Sequence, residues 1–123
     1  MPGFKKIVAV LKVADLAKSL EFYTSILGFT VAWRAANDGG GENAMLHAGE
    51  TDVLISTGAH LGDAPHFTGT LYFHMDGVEE FYQRVKDRVD IVWPLETQEY
   101  GLREFGVHDS DGYTLAFAEE VKQ

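Results

Sequence analysis

The sequence predicts an α+β fold built from two copies of one β-α-β-β-β unit. Three observations predict it. The tripeptide Glu-Phe-Tyr occurs at residues 21–23 and again at 80–82. Each copy follows an apolar, strand-like run, Ile7–Val13 in one case and Thr70–Met75 in the other, and each is followed by a tryptophan in the next apolar run, Trp33 and Trp93. Glycine-rich or acidic turns at Asp38–Gly41, Gly49-Glu50 and Asp109–Gly112 divide what comes after each copy into short segments. Features repeated in the same order at a fixed offset mark a duplicated supersecondary unit.

The elements follow in order. Asp15 is a good N-cap, because its carboxylate can accept from first-turn amides. Leu16, Leu20, Tyr23 and Leu27 then recur at helical spacing and Gly28 supplies the stop, which predicts a helix over 16–27. Strands are expected at 30–35, 43–48 and 52–57. A turn-rich linker, 58–66, joins the units. The second helix is expected over 77–88, with Val78, Phe81, Tyr82 and Val85 on its buried face, followed by strands at 91–95, 102–108 and 113–119. The whole chain, 1–123, reads as one domain of two units, about 4–57 and 67–119.

Composition narrows the function. Ten Lys and Arg stand against nineteen Asp and Glu, for a formal charge of −9. That balance argues against nucleic acid, whose phosphates demand clustered cations. There is no cysteine, so disulfides, thiolate zinc sites and a cysteine nucleophile are excluded. Lys12 and Asp15 cut the N-terminal apolar run short of a signal peptide, and no stretch reaches the length of a membrane span. A soluble cytoplasmic protein is expected, with no membrane partner. Asp109-x-Asp111-Gly112 opens like a calcium loop but lacks its later ligands, and Gly39–Gly41 lacks the lysine of a phosphate loop. Both read as turns.

The run Leu11-Lys12-Val13-Ala14-Asp15-Leu16-Ala17-Lys18-Ser19-Leu20-Glu21-Phe22-Tyr23, with Leu27-Gly28-Phe29, and the closing run Gly101–Tyr113 resemble the first strand and helix and the last hairpin of the vicinal oxygen chelate superfamily. That superfamily includes glyoxalase I, extradiol dioxygenases and bleomycin-resistance proteins. In the last hairpin Ser110 stands where Asp-Pro-Asp-Gly is usual. The resemblance covers nearly the whole chain and implies two paired curved sheets around a cleft. It also implies four metal-ligand positions, which fall here on Val8, His47, Thr70 and Ala116. Only His47 is a good donor, and one imidazole cannot hold a catalytic ion, which wants about three protein ligands. A set recruited from His47, His74 and Glu119 is conceivable, but Glu119 has the opposite strand parity to Ala116. A protein without metal or other cofactor is therefore expected.

Strand parity gives an expected cleft lining. Lys12 shares the face of Val8 and Val10, and Tyr72 and His74 share that of Thr70. If His108 pairs with Tyr113, Phe105 opposes Ala116 and Arg103 opposes Ala118. Trp33 and Trp93 lie on strands whose parity the pattern leaves open, and Tyr100 precedes Gly101 on a loop. The expected ligand-binding residues are thus His47, Tyr72, His74, Trp33, Trp93, Tyr100, Arg103, Phe105 and Lys12. They suit a planar, aromatic small molecule, a cationic one being drawn by the overall acidity, or one bearing a carboxylate if Arg103 and Lys12 both line the cleft. Two function classes follow: a metal-free binding protein like the bleomycin-resistance branch, acting as a homodimer, or a divalent-metal lyase, isomerase or dioxygenase of the glyoxalase type. The resemblance to the former branch and the missing donors favour the first.

Overall fold

The computed structural model describes residues 3, 5–36 and 39–122. Phe4 and Asp38, where the first unit and the glycine turn are expected to begin, lie outside the described residues, as do Met1 and Pro2 of the N-terminal run. The chain separates into two compact units, Met1–Pro65 and His66–Gln123.

The first unit runs β1 (Ala9–Lys12), α1 (Leu16–Glu21), β2 (Thr30–Ala36), β3 (Glu42–Ala48) and β4 (Thr51–Ser56). The second runs β5 (Thr70–His74), α2 (Val78–Val85), β6 (Asp90–Thr97), β7 (Leu102–His108) and β8 (Thr114–Glu120). Their sheets have corresponding orders, β1-β4-β3-β2 and β5-β8-β7-β6. In both, the first strand pairs parallel with the last, and the other pairs are antiparallel. Ala9 pairs with Val53 and Thr70 with Thr114, the same separation of 44 residues in each unit (53 − 9 and 114 − 70). Residues 59–61 of the expected linker form one 3₁₀ turn.

Asp15 caps α1 as expected, accepting from the Lys18 amide at 3.1 Å. The helix does not run straight to Leu27. Phe22–Ile26 form a π-helical turn, in which Leu27 N–H reaches back five residues to the Phe22 carbonyl. The wider turn rotates the buried face. Ser19 and Phe22 are buried beside Leu16, Tyr23 and Leu27, while Leu20 is only half-buried. Phe22 meets Tyr23 edge-on, and Tyr23 meets Phe29.

α2 has no side-chain cap of its own. Gly77 precedes it in the left-handed region, and the first amide, Val78 N–H, donates to Glu119 Oε1 on β8 at 3.1 Å. Glu79 and Glu80 in the first turn and Arg84 in the last complement the helix dipole. Val78, Phe81 and Val85 are buried, and Phe81 and Tyr82 pack on Phe105 and Phe117, which also stacks on Phe73. This aromatic layer is the core of the second unit.

The last hairpin differs from expectation by one residue. Asp109 N–H donates to the Tyr113 carbonyl at 2.9 Å, while the Asp109 carboxylate takes the amides of Asp111 and Tyr113. The loop therefore closes on Asp109 and Tyr113, and His108 pairs with Thr114, not Tyr113. Phe105 then opposes Phe117 and Arg103 opposes Glu119. A slip of one residue turns every side chain of a strand to the other face. Phe105 is fully buried under α2, and Glu104 takes the opposite face.

On β6 a bulge between Ile91 and Trp93 sets Trp93 opposite Gly106. A Cβ built at Gly106 would lie 2.5 Å from Trp93 Cζ3, so the indole lies on bare backbone. Gly106→Ala is expected to lower unfolding free energy by about 1–3 kcal/mol, the range for overpacking a close contact. In a Trp93→Ala background the same change should cost much less. Urea unfolding of the four proteins checks both.

Candidate functional site

The second sheet has one face under α2 and one turned away from it. On the latter, β5 presents Tyr72 and His74, β7 presents Glu104 and Gly106, β8 presents Ala116 and Ala118, and β6 presents Trp93. Alternation along each strand fixes this set once the register is known. Ala116 and Ala118 form a small-residue floor between the larger side chains.

Glu104 lies at the middle of this face with 1% of its surface exposed. Its Oε2 accepts from Tyr72 Oη and Trp93 Nε1, both at 3.0 Å. Its Oε1 accepts from the Tyr100 hydroxyl. A carboxylate removed from water is costly unless its lone pairs are satisfied, and three donors do that here. The rings remain accessible: Tyr72 is 44% and Tyr100 63% exposed, and Trp93 is half-buried. His74 tilts toward the Tyr72 ring, centroids 6.3 Å apart. The result is an aromatic surface wrapped around one acid.

At the end of β5 and β8 a cavity of about 380 Å³ adjoins His74. Asp76, Glu119, Glu120 and Lys122 contribute to its wall, so acids outnumber cations there.

The expected site residues separate by unit. Trp33, His47 and Lys12 belong to the first. Trp33 follows a bulge on β2, as Trp93 does on β6, and is 45% exposed. His47 Nδ1 meets Asp52 Oδ1 at 2.8 Å across the β3–β4 ladder, and Lys6 bonds the other oxygen of Asp52. The hydrogen bond from Lys6, then that from His47, holds the Asp52 carboxyl below its ordinary range. The Lys12 ammonium donates to the carbonyls of Thr57 and Gly58 at 2.8 and 3.0 Å, fastening the chain where it leaves β4.

In the second unit the structure brings Tyr72, Trp93 and Tyr100 together on Glu104. Two expected residues are corrected by the hairpin register. Phe105 is a core residue beneath α2. Arg103 lies on the helix side, where Nη2 and Nε bond Glu79 Oε1 at 2.9 and 3.2 Å and Nη1 bonds Thr97 Oγ1 at 3.2 Å. That contact, with the Gln83 bond second, lowers the Glu79 carboxyl. Arg103 therefore supplies no positive spot beside Tyr72. The residue that sequence reasoning missed is Glu104. Its signal was an acid at the start of a buried run, Phe105-Gly106-Val107, obscured by the many other carboxylates.

The donors do not fit the divalent ion that the resemblance implies. Val8 and Ala116 offer no donor atom, and Glu119 is engaged at α2 on the other face from His74. Among the described residues, no three His, Asp or Glu side chains group as a metal site.

Comparison with known proteins gives the family and the fold. Residues 6–117 match the family described as the Glyoxalase/Bleomycin resistance protein/Dioxygenase superfamily. A bleomycin resistance protein of Geobacillus stearothermophilus is 26% identical across 94% of this chain and 96% of its own length, and one from Staphylococcus aureus matches equally. Among solved structures, TioX from Micromonospora sp. ML1 superposes with a TM-score of 0.78 at 22% identity, over 96% of this chain and all of its own. TnmS3, an antibiotic binding protein from Streptomyces sp. CB03234, gives 0.78 at 18% identity over 98% of both chains.

The Tyr100 hydroxyl faces a carboxylate, so its ionisation is opposed: the hydrogen bond to Glu104 is the largest cause, followed by that to Tyr72, and both push its pKa up. The unfolded chain ionises this tyrosine first, at its ordinary pKa. The contribution to stability is thus complete below about pH 10 and is lost as pH rises beyond it. Phenolate absorbance is expected to show a component titrating above the ordinary tyrosine range, and Tyr100→Phe should reduce it.

Proposed function

The chain belongs to the Glyoxalase/Bleomycin resistance protein/Dioxygenase superfamily, and from that premise we propose that it is a metal-free binding protein that sequesters a flat, partly apolar, cationic small molecule. The observation that carries this reading is the Glu104 carboxylate ringed by Tyr72, Trp93 and Tyr100. Aromatic faces attract planar rings and cations, at about 0.5–2 kcal/mol for each cation–π contact. A carboxylate at their centre, an acidic cavity beside His74 and a chain charge of −9 all favour a positive ligand. The bleomycin resistance proteins among its relatives support the same class. The removal of Arg103 to the helix side weighs against an anionic ligand. The alternative, a glyoxalase-type metal enzyme, is disfavoured by the lack of good donor side chains at Val8, Thr70 and Ala116.

Tryptophan fluorescence titrated with bleomycin tests the proposal. Quenching with micromolar affinity, about 8 kcal/mol, is expected, and it should weaken as salt screens the attraction. Trp93→Ala or Tyr72→Ala should each weaken binding about tenfold, roughly the 1.4 kcal/mol of one good aromatic contact. Arg103→Ala should leave it unchanged. Wild-type affinity in both aromatic variants would overturn the assignment of this face.

The same reading includes a homodimer. In the first unit Val10, Val31 and Trp33 are 40–45% exposed, an apolar surface of the kind a second copy covers. Sedimentation at micromolar concentration is expected to give twice the 13.6 kDa chain mass; a single monomeric species would count against it.

A further inference from the structure

The three donors to Glu104 are not equivalent. Tyr72 and Trp93 stand on β5 and β6, inside the hydrogen-bonded ladder, and both bond Oε2. Trp93 is further fixed by its seat on Gly106. Tyr100 stands outside the ladder, in the turn that joins β6 to β7, and bonds Oε1. That turn is closed by Gly101 N–H to the Gln98 carbonyl at 3.0 Å and Gln98 N–H to the Leu102 carbonyl at 2.8 Å, with Gly101 at φ +89°. Most of the Tyr100 side chain is in water while its hydroxyl is tied to a buried acid. Of the three, it has the least packing to lose and hinges beside a glycine.

We propose that Tyr100 is a gate: a cationic ligand's N–H group takes over Oε1 of Glu104 as the Tyr100 hydroxyl swings out, while Tyr72 and Trp93 keep Oε2 in place. The proposal rests on the reading that this face binds the ligand and deepens it by naming the group recognised, a planar amidinium or guanidinium attached to an aromatic ring. The exchange is favourable because a charged donor replaces a neutral one on an acid already oriented by two bonds. A neutral amide of the same shape gains little, since it replaces one neutral donor by another. Discrimination between the two then arises at Glu104, and the Tyr100 hydroxyl competes with every ligand.

The test uses benzamidine and its neutral analogue benzamide. Both are titrated into the Trp33→Phe protein, so that Trp93 alone reports. Benzamidine is expected to bind about tenfold or more tighter than benzamide, the usual advantage of a charged hydrogen bond. Tyr100→Phe removes the competing hydroxyl and keeps the ring. It should tighten benzamidine about threefold to tenfold, the span of one modest net hydrogen bond. It should also raise acrylamide quenching of Trp93 in the absence of any ligand. Glu104→Gln should abolish the preference for benzamidine, with circular dichroism confirming that the variant folds; should it not fold, the Tyr100→Phe results decide alone. Equal binding of benzamidine and benzamide would overturn the recognition of a cation at Glu104 while leaving a flat-ligand site intact. Weaker binding by Tyr100→Phe would make Tyr100 a ligand contact and overturn the gate. If neither compound nor bleomycin binds, the assignment of the face itself falls, and the gate with it.

Discussion

A buried acid that accepts three hydrogen bonds constrains everything on the exposed face of the second sheet. Glu104 is on β7, yet its carboxylate is satisfied by side chains from β5, β6 and the turn between β6 and β7. Each donor must arrive from its own strand at the right height. That requires the β7–β8 register set by the Asp109 turn, the bulge that advances Trp93 along β6, and the bare backbone of Gly106 beneath the indole. A polar network of this kind is stabilising when complete and costly when one member is missing. It ties the sheet's pairing to the chemistry the surface offers.

The two units use the same framework for different surfaces. Both have a parallel first-to-last pairing and a tryptophan just beyond a bulge in the outer strand. In the first unit the residue paired with tryptophan is Met45, not glycine, and the polar pair on the ladder is His47 with Asp52. Asn43 stands two residues before Met45, as Glu104 stands two before Gly106. The shared topology supplies the scaffold, and the side chains at a handful of equivalent heights decide what each unit presents.

Much of this architecture was legible in the sequence because it is carried by local signals. The Asp15 cap, the helical spacing after it, the Gly28 stop and the Glu-Phe-Tyr repeat each act over a few residues, and the strands they imply stand within one or two residues of expectation. What was not legible depends on counting across a turn. Whether the last hairpin closes on Asp109 with Gly112 or with Tyr113 is settled by two side-chain bonds from Asp109, not by residue type. That one residue decides whether Phe105 or Glu104 faces Tyr72. The π-helical turn at Phe22–Ile26 escaped for a similar reason. An extra residue in one turn leaves the apolar spacing readable as an ordinary helix, and its trace is that Phe22 is buried where Leu20 was expected.

The repeated parallel pairing also bears on how the chain reaches its native state. Within each unit the strands after the helix form an antiparallel meander from near neighbours, and only the closure of first strand on last spans the 44-residue interval. Loop-closure entropy grows slowly with length, but non-local pairing slows folding. All the sheet pairings of the described residues lie inside one unit or the other. The slowest search is thus set by a segment of about half the chain, and is carried out twice, so the rate should resemble that of a domain of roughly sixty residues, not one of 123.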